Sequence, residues 1–275
     1  MLSATLPHST LSYDVAGAGD PTVLIHGSLV DHSAWERVRR GLAPALTIVV
    51  YDRRGHGAST GDPRRHPVRD DASDLASLLE RLDLFPAHLI AHSYGGAVAL
   101  RLAADRPEMV RSVAVHEPPF SGLLEMDPAT APEAERLDSA MRTMVERVRG
   151  GEPERAVRDV VNSLAMDDRA WDRLGKDLQR SFVHHADRWA EEISDPEATH
   201  PAASELGELL IPVLVTSGER SPPFLHRISS RLAESVRNST YRELPGAGHA
   251  PHVSDPDLFI ATIHGFLVER SVPFT

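Results

Sequence analysis

Cysteine is absent from this chain of 275 residues, and lysine occurs once, at position 176. The absence of cysteine excludes disulfides, thiolate metal sites and a cysteine nucleophile, so any covalent catalysis has to use oxygen or nitrogen. The 29 basic residues are scattered along the sequence and outnumbered by 40 acidic ones, which gives a formal net charge of −11. Because no run of basic residues could neutralise phosphates, we expect no nucleic-acid partner.

Long hydrophobic runs are missing as well. No segment reaches 18 consecutive apolar residues, and the first residues contain neither a basic region nor a long apolar stretch. We therefore expect a cytoplasmic protein without a membrane partner. The chain is 41% hydrophobic and long enough for one large core, as a single domain with an insertion or as two smaller domains. The oligomeric state stays open, with a homodimer as one option.

Short apolar runs rich in β-branched residues alternate with amphipathic stretches through much of the chain. Near-continuous apolar strands separated by helices of this length are typical of a mostly parallel sheet covered by helices on both faces. In such doubly wound α/β folds the active site lies at the carboxyl ends of the strands. The predicted strands are residues 21–26, 46–51, 88–91, 110–115, 211–216 and, more weakly, 240–244, and the predicted helices are residues 34–42, 72–82, 97–104, 224–236 and 257–268.

The alternation stops between about residues 118 and 203, where the sequence becomes polar and helical. We interpret residues 119–203 as a helical cap inserted into an α/β core of residues 1–118 and 204–275. Prolines at both ends of this segment are typical of the hinges that an inserted lid requires. A second, independent helical domain is the alternative that length alone allows. The best helical segments of the cap are residues 140–148, 153–165 and 170–193.

The most informative segment is HLIAHSYGGAVAL, in which an apolar stretch ends at Ser93 and small residues open a helical pattern. A serine on a sharp turn from strand to helix is exposed above the sheet as a nucleophile, and small flanking residues allow the two elements to close up. The motif is Ala-x-Ser-x-Gly-Gly, with Ala91 where glycine is the commonest residue. The alternative is a buried strand followed by a helix that begins with a serine N-cap.

A serine nucleophile needs a base within hydrogen-bond reach and a third group that orients the base. His249 has the best context among the fifteen histidines, because it lies in a glycine-rich loop between a strand-like run and the last helix. His252 is the nearby rival, but it follows Pro251 and lies closer to that helix. Strand alternation turns the side chain of His92 away from Ser93, so we assign His92 a structural role.

An oxyanion that develops during attack requires two backbone N–H donors, one from the residue after the nucleophile, here Tyr94. The run LIHGSL leaves a strand into a glycine turn, and we expect the second donor there, at Ser28 or, as second choice, at Leu29. An ordinary turn at the end of a strand is the alternative interpretation of this run.

The motifs HGSLVDHSAW, YDRRGHGAS, AHSYGG and LPGAGHAPH follow each other in this order along the chain. In this order they resemble the α/β-hydrolase superfamily, and the resemblance covers the chain outside the cap. It implies Ser93 as the nucleophile, His249 as the general base and acid, and the amides of Ser28 and Tyr94 as the oxyanion hole. The loop of residues 52–57 matches a family segment that shapes the core and the pocket edge without reacting.

The third member of the triad departs from the commonest family pattern. Where an aspartate is usual after the seventh strand, this chain has Ser221, whose hydroxyl cannot offset the charge of an imidazolium. Glu117, at the end of the predicted strand 110–115, is the replacement that we predict, with a pocket-rim carboxylate or a helix cap as the alternative. Glu219 is the second choice for the acid, although its neighbour Arg220 suggests a solvated ion pair.

A glutamate after the sixth strand resembles the branch that includes some haloalkane dehalogenases and fungal lactonases that open resorcylic macrolactones. Since those dehalogenases use an aspartate nucleophile, Ser93 favours the lactonase and esterase side. We expect a serine hydrolase that cleaves a small or medium carboxylic ester or lactone through an acyl-enzyme. Carbon–carbon bond hydrolysis, perhydrolysis and amide cleavage on the same machinery stay open, as does a non-catalytic ligand receptor.

Apolar residues of the cap suggest a substrate with apolar bulk. As substrate contacts we predict Leu29, His116 and Trp189. Support of the cap hinge is the alternative for His116, and a place in the core of the cap is the alternative for Trp189. No cofactor or metal is implied, because the histidines and carboxylates show no ligand spacing. The acidic residues between positions 70 and 74 indicate a helix start with favourable charge.

Overall fold

The computed structural model describes residues 1–61 and 68–271. The strands in these ranges are β1 (Leu2–Thr5), β2 (Ser9–Ala16), β3 (Asp20–Ile25), β4 (Leu46–Tyr51), β5 (Thr60–Gly61), β6 (Ala87–His92), β7 (Val110–His116), β8 (Val213–Gly218) and β9 (Ser239–Leu244). The helices are α1 (Glu36–Leu42), α2 (Val68–Leu82), α3 (Tyr94–Asp105), α4 (Ala131–Arg149), α5 (Pro153–Ala165), α6 (Lys176–His184), α7 (Ala186–Ser194), α8 (Pro196–Thr199), α9 (Ala203–Glu208), α10 (Pro223–Ser235), α11 (Pro251–Ser254) and α12 (Pro256–Ser271).

The strands form one sheet in the order β1-β2-β4-β3-β6-β7-β8-β9, with the short β5 paired to β2. Strand β2 is antiparallel to β1 and β4, and the neighbours from β4 to β9 are all parallel. The chain moves from β3 to β4 in one direction and from β6 onward in the other, so the topological switch point lies between β3 and β6. Ligands of open α/β sheets bind at the carboxyl ends of the strands beside this point.

Side-chain alternation along the central strands fills a separate core on each face of the sheet. Val23 and Leu89 pack on the face covered by α2, α3 and α10, whereas their neighbours Leu24 and Ile90 pack on the face covered by α1 and α12. Strands buried on both faces read as continuous apolar runs, which is why the sequence pattern revealed them. The predicted doubly wound, mostly parallel sheet is confirmed.

The six helices α4 to α9, here called the helical insertion, connect β7 to β8. They have an apolar cluster of their own, formed mainly by α4, α5 and α7. Helix α5 has the predicted bounds, and the predicted segment 140–148 is the second half of α4. The predicted single helix 170–193 is wrong, because the backbone is extended at Leu174 and Gly175 and helix geometry ends again at His185.

Sequence reasoning missed the two N-terminal strands, β1 and β2. Strand β1 has four residues of which one is buried, and β2 contains two serines, a threonine and an aspartate among its eight residues, so their hydrophobic pattern is weak. Their antiparallel pairing with each other and with β4 extends the sheet at this edge.

In the described ranges, no helix combines the length and the apolar character that crossing a bilayer requires.

Candidate active site

Ser93 occupies a strained turn between β6 and α3. Its backbone has φ 51° and ψ −124°, a region that residues other than glycine rarely adopt. Ser93 N donates a hydrogen bond to His116 O at 2.9 Å, and Gly96 N donates to Ser93 O at 2.8 Å. The next strand and the first turn of α3 therefore hold the turn from both sides, and the partly exposed side chain leaves it at the carboxyl edge of the sheet.

Small residues allow the turn after β3 to lie directly against Ser93. A Cβ atom added to Gly95 would lie 2.5 Å from Ile25 O, and one added to Gly27 would lie 3.1 Å from Ser93 Cβ. Both distances are too short for a larger residue without movement of the chain. Glycine at these two positions thus brings the carboxyl ends of β3 and β6 together at the switch point of the sheet.

The side chains of Glu117 and His249 form a hydrogen bond, although 132 residues separate them in sequence. Nδ1 of His249, in the loop between β9 and α11, lies 2.6 Å from Oε2 of Glu117. An ionised carboxylate can only accept hydrogen bonds, so Nδ1 carries the hydrogen and Nε2 of the neutral ring is left as an acceptor. This is the tautomer that a general base acting on a serine requires.

Glu117 is anchored on β8 as well. Its N–H donates to Thr216 O at 3.1 Å, and its Oε1 accepts from Gly218 N at 2.8 Å. The side chain is fully buried, which by itself would raise its pKa, but the hydrogen bond from His249 and the charges of His116 and His249 lower the pKa to about 2. Glu117 is therefore ionised at neutral pH. Its positive φ of 48° is a second strained position at this edge of the sheet.

The two positions after β8 behave differently from Glu117. Ser221 is buried and its hydroxyl makes no hydrogen bond of ordinary geometry in the described ranges, although it lies close enough to the Glu117 carboxylate to help lower the pKa of that group. Glu219 is exposed, and its Oε2 accepts from Gly246 N at 2.6 Å. The expected ion pair between Glu219 and Arg220 does not occur among the described residues.

His92 links the loop that carries His249 to the strand that precedes Ser93. Its Nε2 donates to His249 O at 2.7 Å, and the two ring centroids lie 4.6 Å apart. The loop that carries His249 is thereby fixed next to the residue that precedes Ser93.

Within residues 1–61 and 68–271 no hydrogen bond joins the Ser93 hydroxyl to His249, and catalytic bonds of this kind are often long before substrate binds. The complete triad stays a prediction.

The rival histidine, His252, lies behind this arrangement. Its ring packs 4.4 Å from Trp35 and 4.4 Å from His92, centroid to centroid, while the ring that reaches Glu117 is that of His249. Burial lowers the pKa of His252 to about 3. A neutral, buried ring in this place is a packing element beside the base.

The predicted oxyanion donors lie on the two elements that meet at the switch point. Tyr94 is the first residue of α3, so its N–H has no partner within the helix. Ser28 and Leu29 follow Gly27 in the turn after β3, and Leu29 has a positive φ of 65°. Neither the Tyr94 nor the Ser28 N–H donates a hydrogen bond in the described part of the chain.

The predicted substrate contacts are all largely buried. Leu29 and Trp189 are 6% and 3% exposed and belong to the same apolar cluster of the helical insertion. His116 is fully buried, and its Nδ1 lies 2.9 Å from Thr216 Oγ1. These positions favour the structural alternatives for His116 and Trp189, whereas Leu29 stays at the edge of the site through its place in the turn.

A buried ionic network beside the turn was missed by sequence reasoning. Asp71 does lie in the first turn of α2, but it is 2% exposed and binds both Arg53 Nη1, at 3.1 Å, and Arg188 Nη2, at 2.8 Å. Glu192 of α7, also fully buried, accepts from Arg53 Nη1 at 2.7 Å. Arg53 and Glu192 are 139 residues apart, and no local pattern announces such a pair.

Among residues 1–61 and 68–271, two groups of three side chains place a histidine nitrogen and two carboxylate oxygens within 4.8 Å of one another. In one of them, Asp52 Oδ1 already accepts from both N and Nδ1 of His32, at 3.0 and 2.5 Å. Internal hydrogen bonds therefore explain that geometry without an ion. The groups are Asp31, His32 and Asp52, and Glu125, Asp138 and His200.

Comparison with known proteins agrees with this fold. The sequence pattern of the Alpha/beta hydrolase family matches residues 22–262. The chain therefore belongs to the α/β-hydrolase family.

Individual relatives are distant. The chain is 32% identical over 121 residues to the uncharacterized hydrolase YraK of Bacillus subtilis, a match that spans 43% of this chain and 45% of that protein. It is 23% identical over 279 residues to the pyrrolizixenacetamide deacetylase of Xenorhabdus hominickii, which covers 96% of both chains.

Solved structures with similarly low sequence identity share the fold. A thermophilic esterase from Thermogutta terrifontis superposes with a TM-score of 0.79 at 21% identity, over 98% of this chain and 99% of the other. The enol-lactonase from Burkholderia xenovorans superposes with a TM-score of 0.77 at 20% identity, over 97% and 100% of the two chains. At these identities the likeness establishes the fold and not the substrate.

Proposed function

We propose that this protein is a serine hydrolase that cleaves a small or medium carboxylic ester or lactone through an acyl-enzyme. The observation that carries the proposal is the 2.6 Å contact between Glu117 Oε2 and His249 Nδ1, at the sheet edge where the strained Ser93 turn is exposed. The helical insertion would form the cap over this edge.

Acylation follows from the tautomer of His249. With Nδ1–H bonded to Glu117, Nε2 accepts the proton of Ser93 as Oγ attacks the carbonyl carbon. The ionised Glu117 stabilises the imidazolium that results. Collapse of the tetrahedral intermediate breaks the bond to the alkoxy oxygen, which leaves as an alcohol with the proton from Nε2, and Ser93 retains the acyl group.

Water completes the reaction by the same proton path. Nε2 of His249 takes a proton from the water as its oxygen attacks the acyl carbon. The bond to Ser93 Oγ then breaks, Nε2 returns the proton to Oγ, and the carboxylic acid and free Ser93 result. During both steps the amides of Ser28 and Tyr94 would donate to the oxyanion. With a lactone, the alcohol and the acid are the two ends of one hydroxy acid.

The similar structures described as an esterase and an enol-lactonase agree with ester or lactone carbonyls as the substrate class, as does the absence of any need for a cofactor in this proton path. Aryl esters with acyl chains of increasing length and a parallel series of lactones would define the preferred substrate.

A fluorophosphonate probe tests the proposal. We expect covalent modification at Ser93, located by peptide mass spectrometry, that is lost in Ser93→Ala and at least a hundredfold slower in His249→Ala. His252→Phe is the matched control, because it changes the neighbouring histidine and should leave the labelling rate within about threefold. An inert Ser93, or equal rates in His249→Ala and His252→Phe, would refute the hydrolase mechanism.

A further inference from the structure

The turn that follows β3 is clamped by a single buried arginine on the next loop. Arg53 Nη2 donates to Gly27 O at 3.0 Å, and Arg53 Nε donates to His26 O at 3.0 Å. Arg53 is fully buried, and its guanidinium also lies 4.6 Å from the centroid of the Tyr94 ring. One side chain thus contacts both segments that would supply the oxyanion donors.

His26 completes the clamp from within the turn. Its Nδ1 donates to Gly27 O at 2.8 Å, and its Nε2 accepts from Arg53 N at 2.9 Å. This pattern requires the neutral ring with hydrogen on Nδ1. Burial and the neighbouring positive charge of Arg53 lower the pKa of His26 well below its usual range, which agrees with that form.

The orientation of Gly27 O determines the orientation of the next N–H. In a trans peptide the carbonyl oxygen of one residue and the N–H of the following residue point in opposite directions. Because Gly27 O faces Arg53 and His26, the N–H of Ser28 faces away from them. Gly27 itself lies against Ser93, which places the Ser28 N–H in the turn beside that residue.

The helical insertion holds the other side of the turn. Glu192 Oε2 accepts a hydrogen bond from the Ser28 hydroxyl, while its Oε1 binds Arg53 Nη1 at 2.7 Å and His56 Nε2 at 3.0 Å. The Leu29 side chain packs into the apolar cluster of the insertion. Movement of α7 would therefore have to break bonds to a fully buried carboxylate, which is costly.

We propose that Arg53 and Glu192 are positioning residues for the oxyanion hole: together they lock the turn of residues 26–28 so that the Ser28 amide faces the reacting carbonyl. This inference rests on the proposed function. The helical insertion would then contribute to catalysis through Glu192, which fixes Ser28, the residue whose N–H is an oxyanion donor. Glu192 itself would not touch the substrate.

Arg53→Gln is the principal test, with Arg54→Gln as its matched control. The two arginines are adjacent and buried, and each forms an ion pair with an aspartate of α2. Arg54 binds Asp74, at 2.6 and 2.7 Å, whereas Arg53 also donates to a carbonyl oxygen of the turn. Ki for an aryl trifluoromethyl ketone, which forms an oxyanionic adduct with the serine, is compared with KM for an aryl ester. We expect Arg53→Gln to raise Ki at least tenfold with KM within threefold, and Arg54→Gln to change neither by more than threefold.

Ser28→Ala keeps the experiment decisive if Arg53→Gln fails to fold. It removes the hydroxyl that Glu192 holds but leaves the backbone donor and the bonds from Arg53 and His56 to Glu192 in place. We expect a fivefold to tenfold rise in Ki for the ketone in a variant that stays folded, with a melting temperature lowered by a few degrees because a buried carboxylate loses one hydrogen bond.

The outcomes separate this inference from the proposed function. If the wild-type protein is inert to both ketone and fluorophosphonate, the hydrolase proposal fails and the positioning role fails with it. If the wild-type protein reacts, but Arg53→Gln matches Arg54→Gln in Ki, or Ser28→Ala keeps the wild-type Ki, the positioning role alone is overturned.

Discussion

The carboxylate of Glu117, at the end of β7, reaches Nδ1 of His249 at 2.6 Å, whereas the hydroxyl of Ser221 occupies the position after β8 where an aspartate is usual in this family. Strands β7 and β8 are parallel neighbours, so their carboxyl ends lie side by side. Gly218 N, at the end of β8, donates to Glu117 Oε1 at 2.8 Å, so the neighbouring strand also holds this carboxylate.

The first prediction concerns this acid. Glu117→Gln removes the charge that stabilises the imidazolium, and we expect kcat for an aryl ester to fall about 10³-fold to 10⁴-fold, the effect of amide replacement in other serine triads. Glu219→Gln is the control, since that exposed side chain binds only Gly246 N among the described residues and should change kcat by less than threefold. Equal losses in the two variants would move the role of the acid away from Glu117.

A second prediction tests the close approach between β3 and the nucleophile turn. A Cβ atom on Gly27 would lie 2.8 Å from His92 Nδ1 and 3.1 Å from Ser93 Cβ, so Gly27→Ala must displace one of them. We expect a loss in kcat/KM of about tenfold, because a misplacement of 1 Å can cost about a hundredfold and the added atom requires a smaller displacement. Gly175→Ala, at a position where nothing lies within 4 Å of the added atom, should leave kcat/KM unchanged. Wild-type turnover in Gly27→Ala would show that this contact is not critical.

The third prediction concerns the bond from His92 Nε2 to His249 O, which is 2.7 Å long. In His92→Phe the loop that carries the base loses this anchor, and we expect kcat to fall about tenfold while KM stays within threefold. His88→Phe is the matched control on the same strand, because His88 is also buried but its Nδ1 contacts Ser112 Oγ, at 2.7 Å. Both variants should lose stability, so a fall in kcat for His88→Phe equal to that for His92→Phe would argue against a positioning role.

Sequence reasoning predicted the parts of the candidate site that depend on local pattern. The glycines after Ser93 and the glycine-rich loop around His249 are visible in the sequence. Each of these two residues also follows a predicted strand. Glu117 could be chosen because Ser221 left the usual position without a carboxylate. The strand order of the family was then sufficient to predict that these three residues lie at the same edge of the sheet.

The ionic network could not be found in this way. Arg53 meets Asp71 from 18 residues away and Glu192 from 139 residues away, and both partners lie on helices whose polar residues resemble solvated positions in sequence. Whether a charged side chain on a helix faces water or a buried partner depends on how the helical insertion docks, and no periodicity of the chain encodes that. The same reason explains why Trp189 could be read either as a pocket residue or as a core residue.

The last prediction concerns acid stability, which the buried histidines should dominate. Burial lowers the pKa of His56, His88 and His116 to about 4 and that of His252 to about 3, from an ordinary value of 6.5. Between the lowered pKa values and 6.5, the folded state therefore binds fewer protons than the unfolded state. The free energy of unfolding must then fall as the pH decreases below about 6.5. For one such group the loss between pH 7 and pH 5 is about 2 kcal/mol.

His252→Phe isolates one of these contributions. His252 Nδ1 has no hydrogen-bond partner in the described part of the chain, and the ring packs on Trp35, so phenylalanine can replace it with little other change. We expect urea unfolding curves at pH 7 and pH 5 to give a smaller loss of unfolding free energy for the variant, by about 2 kcal/mol. Glu117 does not interfere, because its pKa of about 2 places its own contribution, which is lost as the pH falls from 4.5 toward 2, below this window. Parallel curves for the two proteins would mean that His252 already accepts a proton in the folded state near pH 6, and the packed, neutral imidazole described beside the base would then be wrong.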